Sequence, residues 1–226
     1  MSAAVSTLSY STPSAPGWLH RALRHRSFVI GAVLSALLIL AALLSFVWTP
    51  WSPYEMDLAN KLASPSGTHW LGTDAFGRDV ASLLLVGARN SILVGVIAVG
   101  IGLTIGTALG LLAAAKRGWV EELIMRLADF TFAFPAILSA IMMTAVFGAG
   151  IVNSIIAIGI FNIPTFARVT RASANAVWSR EYILASRACG KGSWRITLEH
   201  VLPNILSVLI VQATIQFAIA LSLIHI

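Results

Sequence analysis

The 226-residue sequence is 58% hydrophobic and 11% charged, with a mean hydropathy of +0.85, against about 25% charged for a soluble domain. Those figures exclude an ordinary soluble globule and place the chain in a membrane. Fifteen Lys and Arg against nine Asp and Glu leave a net charge of +6, but in so apolar a chain the positions of the charges say more than their sum, and no nucleic-acid partner is expected.

The first 20 residues, rich in Ser, Ala, Thr and Pro, predict a disordered tail, and residues 1–26 end in the basic stretch HRALRHR. A spanning helix needs roughly 20 mostly apolar residues. Five stretches qualify: 27–48, 91–115, 127–147, 151–169 and about 204–220. None has an ionisable residue near its middle; Asp129 and Arg168 lie at ends. The first stretch exceeds the apolar length of a signal peptide, and WTPWSP after it is a poor cleavage site, so it reads as a retained anchor. With the N-terminus cytoplasmic, Arg21, Arg24, Arg26, Lys116, Arg117, Arg126, Arg168, Arg171, Arg180, Arg187, Lys191 and Arg195 fall inside. Only Lys61, Arg78 and Arg89 fall outside. That asymmetry predicts a multi-pass membrane protein in contact with lipid, its N-terminus cytoplasmic.

The external segment, 49–90, gathers His69, Asp74, Arg78 and Asp79 within eleven residues. A structural role is favoured over catalysis. Thr73 or Asp74 is expected to cap a helix starting near Ala75, with Arg78 pairing with Asp74 at i, i+4 or with Asp79. In the second span Gly102, Gly106 and Gly110 recur every four residues, with Ala114 continuing the series, and let another helix approach closely. Packing within the subunit is favoured over contact with a partner. Pro135 and Pro164 remove backbone donors and permit kinks in the third and fourth spans. Ser139, Thr144, Asn153, Asn162, Gln212 and Gln216 either line a pathway or bond to their own helices.

Between the fourth and fifth spans lies a run that cannot enter lipid. Burying Arg171, Arg180, Arg187, Lys191 and Arg195 would cost about 12 kcal/mol on an insertion scale. The segment at about 171–203 is therefore a cytoplasmic loop. Ile183, Leu184, Ala188, Trp194, Ile196 and Leu198 supply apolar faces, so it predicts a helix from Ala172 to Cys189, a turn at Gly190, and a second helix capped by Ser193 and running toward His200. Pro203 marks the start of the fifth span. The lone Cys189 has no partner for a disulfide and no metal-ligand cluster around it, and no metal site is expected. GKGS, residues 190–193, resembles the end of a phosphate-binding loop, but position 185 is Ala and position 192 is Gly, so no nucleotide site is expected.

The stretch LASRACGKGSWRITLEHVLPN resembles the EAA loop of ATP-binding-cassette importer permeases through Ala185, Ser186, Gly190, Leu202 and Pro203. HWLGTDAFGRDVASLLLVGARNSI is similar to the segment before the second span in the dipeptide, oligopeptide and nickel subgroup, in its C-type permease. The resemblance covers roughly residues 27–220. It implies an all-α polytopic bundle with the type I importer permease fold, about five spans being present of six in the family. It implies a loop, carried by Ala185, Ser186, Arg187, Gly190, Trp194, Arg195, His200 and Pro203, that seats on a cytoplasmic ATPase. Arg187 and Arg195 would meet acidic groups there, and Trp194 would anchor the contact. Gly72, Thr73, Asp74, Gly77, Arg78 and Asp79 become a structural element or a docking point for an external binding protein.

The implied partners are a homologous permease, two ATPase subunits and the external substrate-binding protein. ATP belongs to the ATPases, and this chain holds no cofactor and no catalytic residue. The cargo would be a di- or oligopeptide, or nickel. Two departures stand out: Leu184 occupies the position named for Glu, and Ser186 replaces an Ala. The final LSLIHI is what CTG TCT CTT ATA CAC ATC, an adapter-like run of codons, encodes, and 221–226 is read as a non-native tail on a truncated chain. A secondary transporter or channel is the alternative, but it would more often show intramembrane charges and inverted repeats. A membrane enzyme is disfavoured because His20, His25, His69, His200 and His225 all fall outside the spans.

Overall fold

The computed structural model describes residues 22–148 and 150–224. The N-terminal stretch expected to be a tail, up to residue 21, and residues 149, 225 and 226 lie outside them. The described chain is all-α, without a β-strand; its one ladder feature is an isolated antiparallel bridge between Thr73 and Asp79. Four helical runs are long and apolar enough to cross a bilayer: Arg26–Val47, Val80–Lys116, Ile151–Trp178 and Ser193–Ser222.

Helix α1 (Arg26–Val47) is bare on most sides, with Ala42 and Ser45 its buried residues, as befits an anchor that leans on one neighbour. That neighbour is α2 (Val80–Lys116), whose 37 residues make a rod about 55 Å long. Helix α5 (Ile151–Trp178) packs along α2, and α8 (Leu202–Ile224) closes against both. Helix α3 (Gly118–Ala133) lies against α2 and α5, and α4 (Ala136–Phe147) against α5.

The α2–α5 seam is the glycine face. A Cβ on Gly102 would sit 2.2 Å from Asn162 Cβ, one on Gly106 2.5 Å from the Ile163 carbonyl, and one on Gly110 2.5 Å from the Ala167 carbonyl. The repeat therefore serves packing within the subunit. Lipid is as apolar as leucine, so helices gain little from the hydrophobic effect by leaving it; close approach and the dispersion it brings hold this pair. Phe166, fully buried beside Gly106, fills the seam.

The third expected span is divided. Phe134 and Pro135 are extended (φ −94°, ψ 125°; φ −59°, ψ 130°) and separate α3 from α4. Pro135 cannot donate to the preceding turn, and its ring pushes Phe134 out of the helical region. The 12 residues of α4 reach only about 18 Å. Pro164 behaves differently, because α5 runs through it without interruption. There Pro164 is buried in the contact of α5 with its neighbours, and packing on several sides holds the backbone helical despite one missing bond.

Three of the six candidate pathway polars bond locally. Ser139 Oγ donates to the Pro135 carbonyl (3.3 Å), Thr144 Oγ1 to that of Ile141 (2.9 Å), and Asn153 Nδ2 to those of Phe147 and Gly148 (3.0 and 2.7 Å). Asn162 is buried at the seam.

Candidate functional site

The 179–201 loop is folded throughout. Helix α5 ends at Trp178, and α6 (Glu181–Ala188) begins after Ser179 and an extended Arg180 (φ −77°, ψ 145°). This corrects the single helix expected from Ala172 to Cys189. The reason is geometric: Trp178 and Ile183 are both buried, yet five residues along one helix point about 140° apart. Breaking the helix between them turns both inward.

Gly190 closes α6 with φ 79°. Its N–H donates to the Arg187 carbonyl (2.9 Å), and the Lys191 N–H reaches back to that of Ser186 (3.2 Å). Those two bonds make a Schellman turn, which satisfies carbonyls the helix end would otherwise leave open. After it comes α7 (Ser193–Ile196), capped by Gly192 and not by Ser193, which is the first helical residue and makes no capping bond. Helix α7 does not stop before the fifth span. A π turn, Thr197–Val201, carries it into α8, with the Leu202 N–H bonding to the Thr197 carbonyl. Pro203 explains the widened turn: it supplies no N–H and would crowd the carbonyl four residues back. Asn204 Nδ2 instead donates to the His200 carbonyl (2.6 Å).

The loop has an inner and an outer face. Ile183, Ile196, Val201, Trp178 and Ile205 pack together in the core. Outward stand Leu184 and Trp194, 57% and 64% exposed, together with Leu198 and the exposed Ala185. Ser186 is half-buried and donates to the Tyr182 carbonyl (2.8 Å). The expected free arginines are engaged: Arg187 lies 4.8 Å over the Trp178 ring, and Arg195 Nε donates to Glu199 Oε1 (2.5 Å). Lys191 Nζ completes the clasp on Glu199 Oε2 at 2.6 Å and lies 3.3 Å from His200 Nε2, while the His200 ring meets Tyr182 edge-on. Glu199, Tyr182 and Trp178 were absent from the sequence reading; the i, i+4 spacing of Arg195 and Glu199 was the available signal for one of them.

The segment before α2 is closed on itself. No helix starts near Ala75; α2 starts at Val80, and its cap is Asp79, whose Oδ2 accepts from the Ser82 N–H and Oγ (both 2.8 Å). Asp79 Oδ1 faces His69 Nδ1 at 3.1 Å. Asp79 is 2% exposed; burial pushes its carboxyl upward, but the Ser82 donors and His69 outweigh that and hold it below the usual range. Asp74 accepts from the Phe76 and Arg78 N–H groups (2.8 and 2.9 Å) and from Arg78 Nε (2.8 Å). The Arg78 side chain, then burial in opposition, then the backbone donors leave the Asp74 carboxyl below its ordinary value. Thr73 is buried, accepts from the Ala63 N–H (2.8 Å) and donates to the Asn60 carbonyl. Gly72 and Gly77, both at positive φ, let the strap around 57–63 cross beneath: a Cβ would lie 2.4 Å from the Ala63 carbonyl and 1.7 Å from that of Asp57. Trp51 ties in from outside, its N–H on Ser82 Oγ (3.0 Å) and its Nε1 on the Thr68 carbonyl (2.9 Å). With both carboxylates occupied by these donors, the cluster is a clasp.

Among the described residues no three of His, Cys, Asp and Glu stand together as a metal site.

Comparison with known proteins agrees with this arrangement. The family described as binding-protein-dependent transport system inner membrane component matches residues 106–225, and the N-terminal TM domain of oligopeptide transport permease C matches residues 18–65. A dipeptide transport system permease protein DppC of Alkalihalophilus pseudofirmus is 39% identical over 198 residues, 88% of this chain and 65% of the relative. A glutathione transport system permease protein GsiD of Pectobacterium atrosepticum is 37% identical over 216 residues, 94% of this chain and 71% of the relative. A di/tripeptide transport system permease protein DppC of Pseudomonas aeruginosa is 38% identical over 222 residues, 95% and 73%. The chain thus spans about two thirds of the length of these relatives. By these matches the chain belongs to the inner-membrane permeases of binding-protein-dependent, ATP-binding-cassette transport systems, in their peptide-permease branch.

Proposed function

We propose that this chain forms half of the translocation path of an ATP-driven importer of short peptides. The 179–201 loop faces the cytoplasm and receives force from a separate ATPase. A homologous permease supplies the other half, two ATPases bind below, and an external binding protein delivers cargo to the 49–79 side. Nickel, the other cargo of the wider family, is disfavoured because the relatives are named for dipeptides, di/tripeptides and glutathione.

The observation that carries the reading is the two-sided loop. Its inner residues are locked into the core, while Leu184, Trp194 and Leu198 project into solvent. An exposed aromatic flanked by aliphatic groups on a rigid base is the composition of an interface anchor. Its base is continuous with two spans, α5 on one side and α8 on the other, so a push on the loop moves both. The twelve basic residues on the loop side against three on the other set its orientation.

The test is uptake of a labelled dipeptide in cells lacking the native system, with and without the ATPase genes, alongside cross-linking from a photoreactive residue at position 194. Capture of an ATPase and ATP-dependent peptide uptake support the reading. Uptake of radioactive nickel but not peptide would change the cargo, and a photoreactive residue reachable only from outside would reverse the orientation.

A further inference from the structure

Helix α3 is bounded by a backbone break at each end. Arg117 and Gly118 both have positive φ (53° and 60°), and Phe134 and Pro135 are extended. Between them Ala128 is its one buried residue. Ile124, Leu127, Ala128 and Thr131 border an apolar cavity of about 140 Å³ shared with Leu109 and Pro164. With Ala128 its one buried residue, α3 has little apolar hold on its neighbours.

Two ion pairs supply the rest. Glu121 faces Arg171 Nη1 at 3.2 Å, and Asp129 pairs with Arg168, whose guanidinium also lies 4.4 Å from the Phe132 ring centre. Arg168 is the first ionisable residue after the apolar run from Ile151, and Asp129 the last before the run to Phe147. Their side chains are 43% and 62% exposed. An exposed charge pair at the margin of the hydrocarbon zone faces protein or water and not lipid.

We propose that α3 is a swinging element of the transport path, hinged at Arg117–Gly118 and at Phe134–Pro135, and latched onto α5 by the Glu121–Arg171 and Asp129–Arg168 rungs. Glu121 and Asp129 are its positioning residues. Helix α5 ends at Trp178, under Arg187 of the loop, and Arg171 lies only about 10 Å up the same rigid rod. A shift of the loop therefore moves both arginines relative to their carboxylates. The proposal rests on the functional reading above and adds the part that opens.

The test uses the assembled transporter in lipid vesicles. Asp129→Asn and Glu121→Gln are each expected to raise ATP hydrolysis without peptide about fivefold, the factor for a rung of modest strength, and to lower peptide moved per ATP. Asp129→Glu keeps the latch, and Asp129→Arg combined with Arg168→Asp restores it. Spin labels on α3 at Glu122 and on α8 at Ser207, with Cys189→Ser, read the position of α3 directly: the neutral variants lengthen the distance and the swapped pair returns it. Unchanged distances in the neutral variants, or a swapped pair that stays open, overturn the latch. A wild-type complex without an ATPase sinks the functional reading instead, and the label distances then decide the latch alone.

Discussion

The 49–79 segment and the 179–201 loop turn their corners with the same device, a glycine at positive φ, and differ in what stands against the turn. At Gly77 a Cβ would strike the Asp57 carbonyl, whereas at Gly190 nothing lies within 4 Å. The clasp before α2 spends its polar groups on itself: Asp74, Asp79, Thr73 and Ser82 all point to partners within the segment or the first turn of α2. The loop closes α6 with the Schellman turn and engages Arg187, Lys191 and Arg195 through Trp178 and Glu199, and it leaves Leu184 and Trp194 uncovered. Both segments leave large apolar side chains exposed, Leu62, Trp70 and Phe76 in one and Leu184 and Trp194 in the other; what differs is that Gly72 and Gly77 close the first against its own backbone, while Gly190 turns in open space.

That contrast can be broken most sharply at Gly190. Since only the backbone angle demands glycine there, Gly190→Val is expected to abolish peptide uptake with membrane insertion intact, while Gly190→Asn, which tolerates left-handed backbone, retains most of it. Equal uptake by the two would remove the angle from the explanation. Trp194→Ala comes next. It is expected to weaken ATPase binding by about 2 kcal/mol, some 30-fold, with thermal unfolding unchanged; a loss of stability with binding preserved would make Trp194 a structural residue.

Asp79→Ala should do the reverse. Losing the cap and the buried acceptor lowers stability by about 1 to 2 kcal/mol, with ATPase binding by the folded fraction unaltered, as measured by thermal unfolding and pull-down on the same preparation. The smallest effect is in pH. Because the folded Asp74 and Asp79 carboxyls lie below their usual 3.8, they stabilise the segment fully above that value, and the contribution fades as pH falls through their lowered values. Amide exchange at Trp51 and Thr73, corrected for intrinsic rates, is expected to stay protected from pH 7 to pH 5 and to lose protection first below about pH 3.8.

Much of the fold was legible. Apolar runs of spanning length identified α1, α2, α5 and α8, the four-residue spacing of Gly102, Gly106 and Gly110 announced the close seam, and Gly190 declared its turn. Each is a local property, visible because one residue type or one period suffices. The misses share a different cause. Asp79, which the sequence reading had only as a partner for Arg78, starts α2 in place of Thr73 or Asp74, because the strap from residues 57–63 holds Thr73 and His69 faces Asp79. Ser193 does not cap α7, since the chain enters from Gly192. The break at Ser179–Arg180 follows from two buried side chains, Trp178 and Ile183, whose burial no window of sequence reports.

By itself the sequence determined that this chain is too apolar for water, which of its runs are long and apolar enough to cross a membrane, and that a charged, partly apolar loop is too costly to bury in lipid. Transfer energies and helical periods are summed along the chain and need no neighbours. Only the tertiary structure decided that Pro135 ends a helix while Pro164 does not, and that Arg187 and Arg195 are engaged within the loop while Trp194 is left uncovered. Those outcomes depend on what packs against each residue. A proline is carried through where neighbours on several sides hold the helix, and a charge is occupied when the fold brings a ring or a carboxylate within reach.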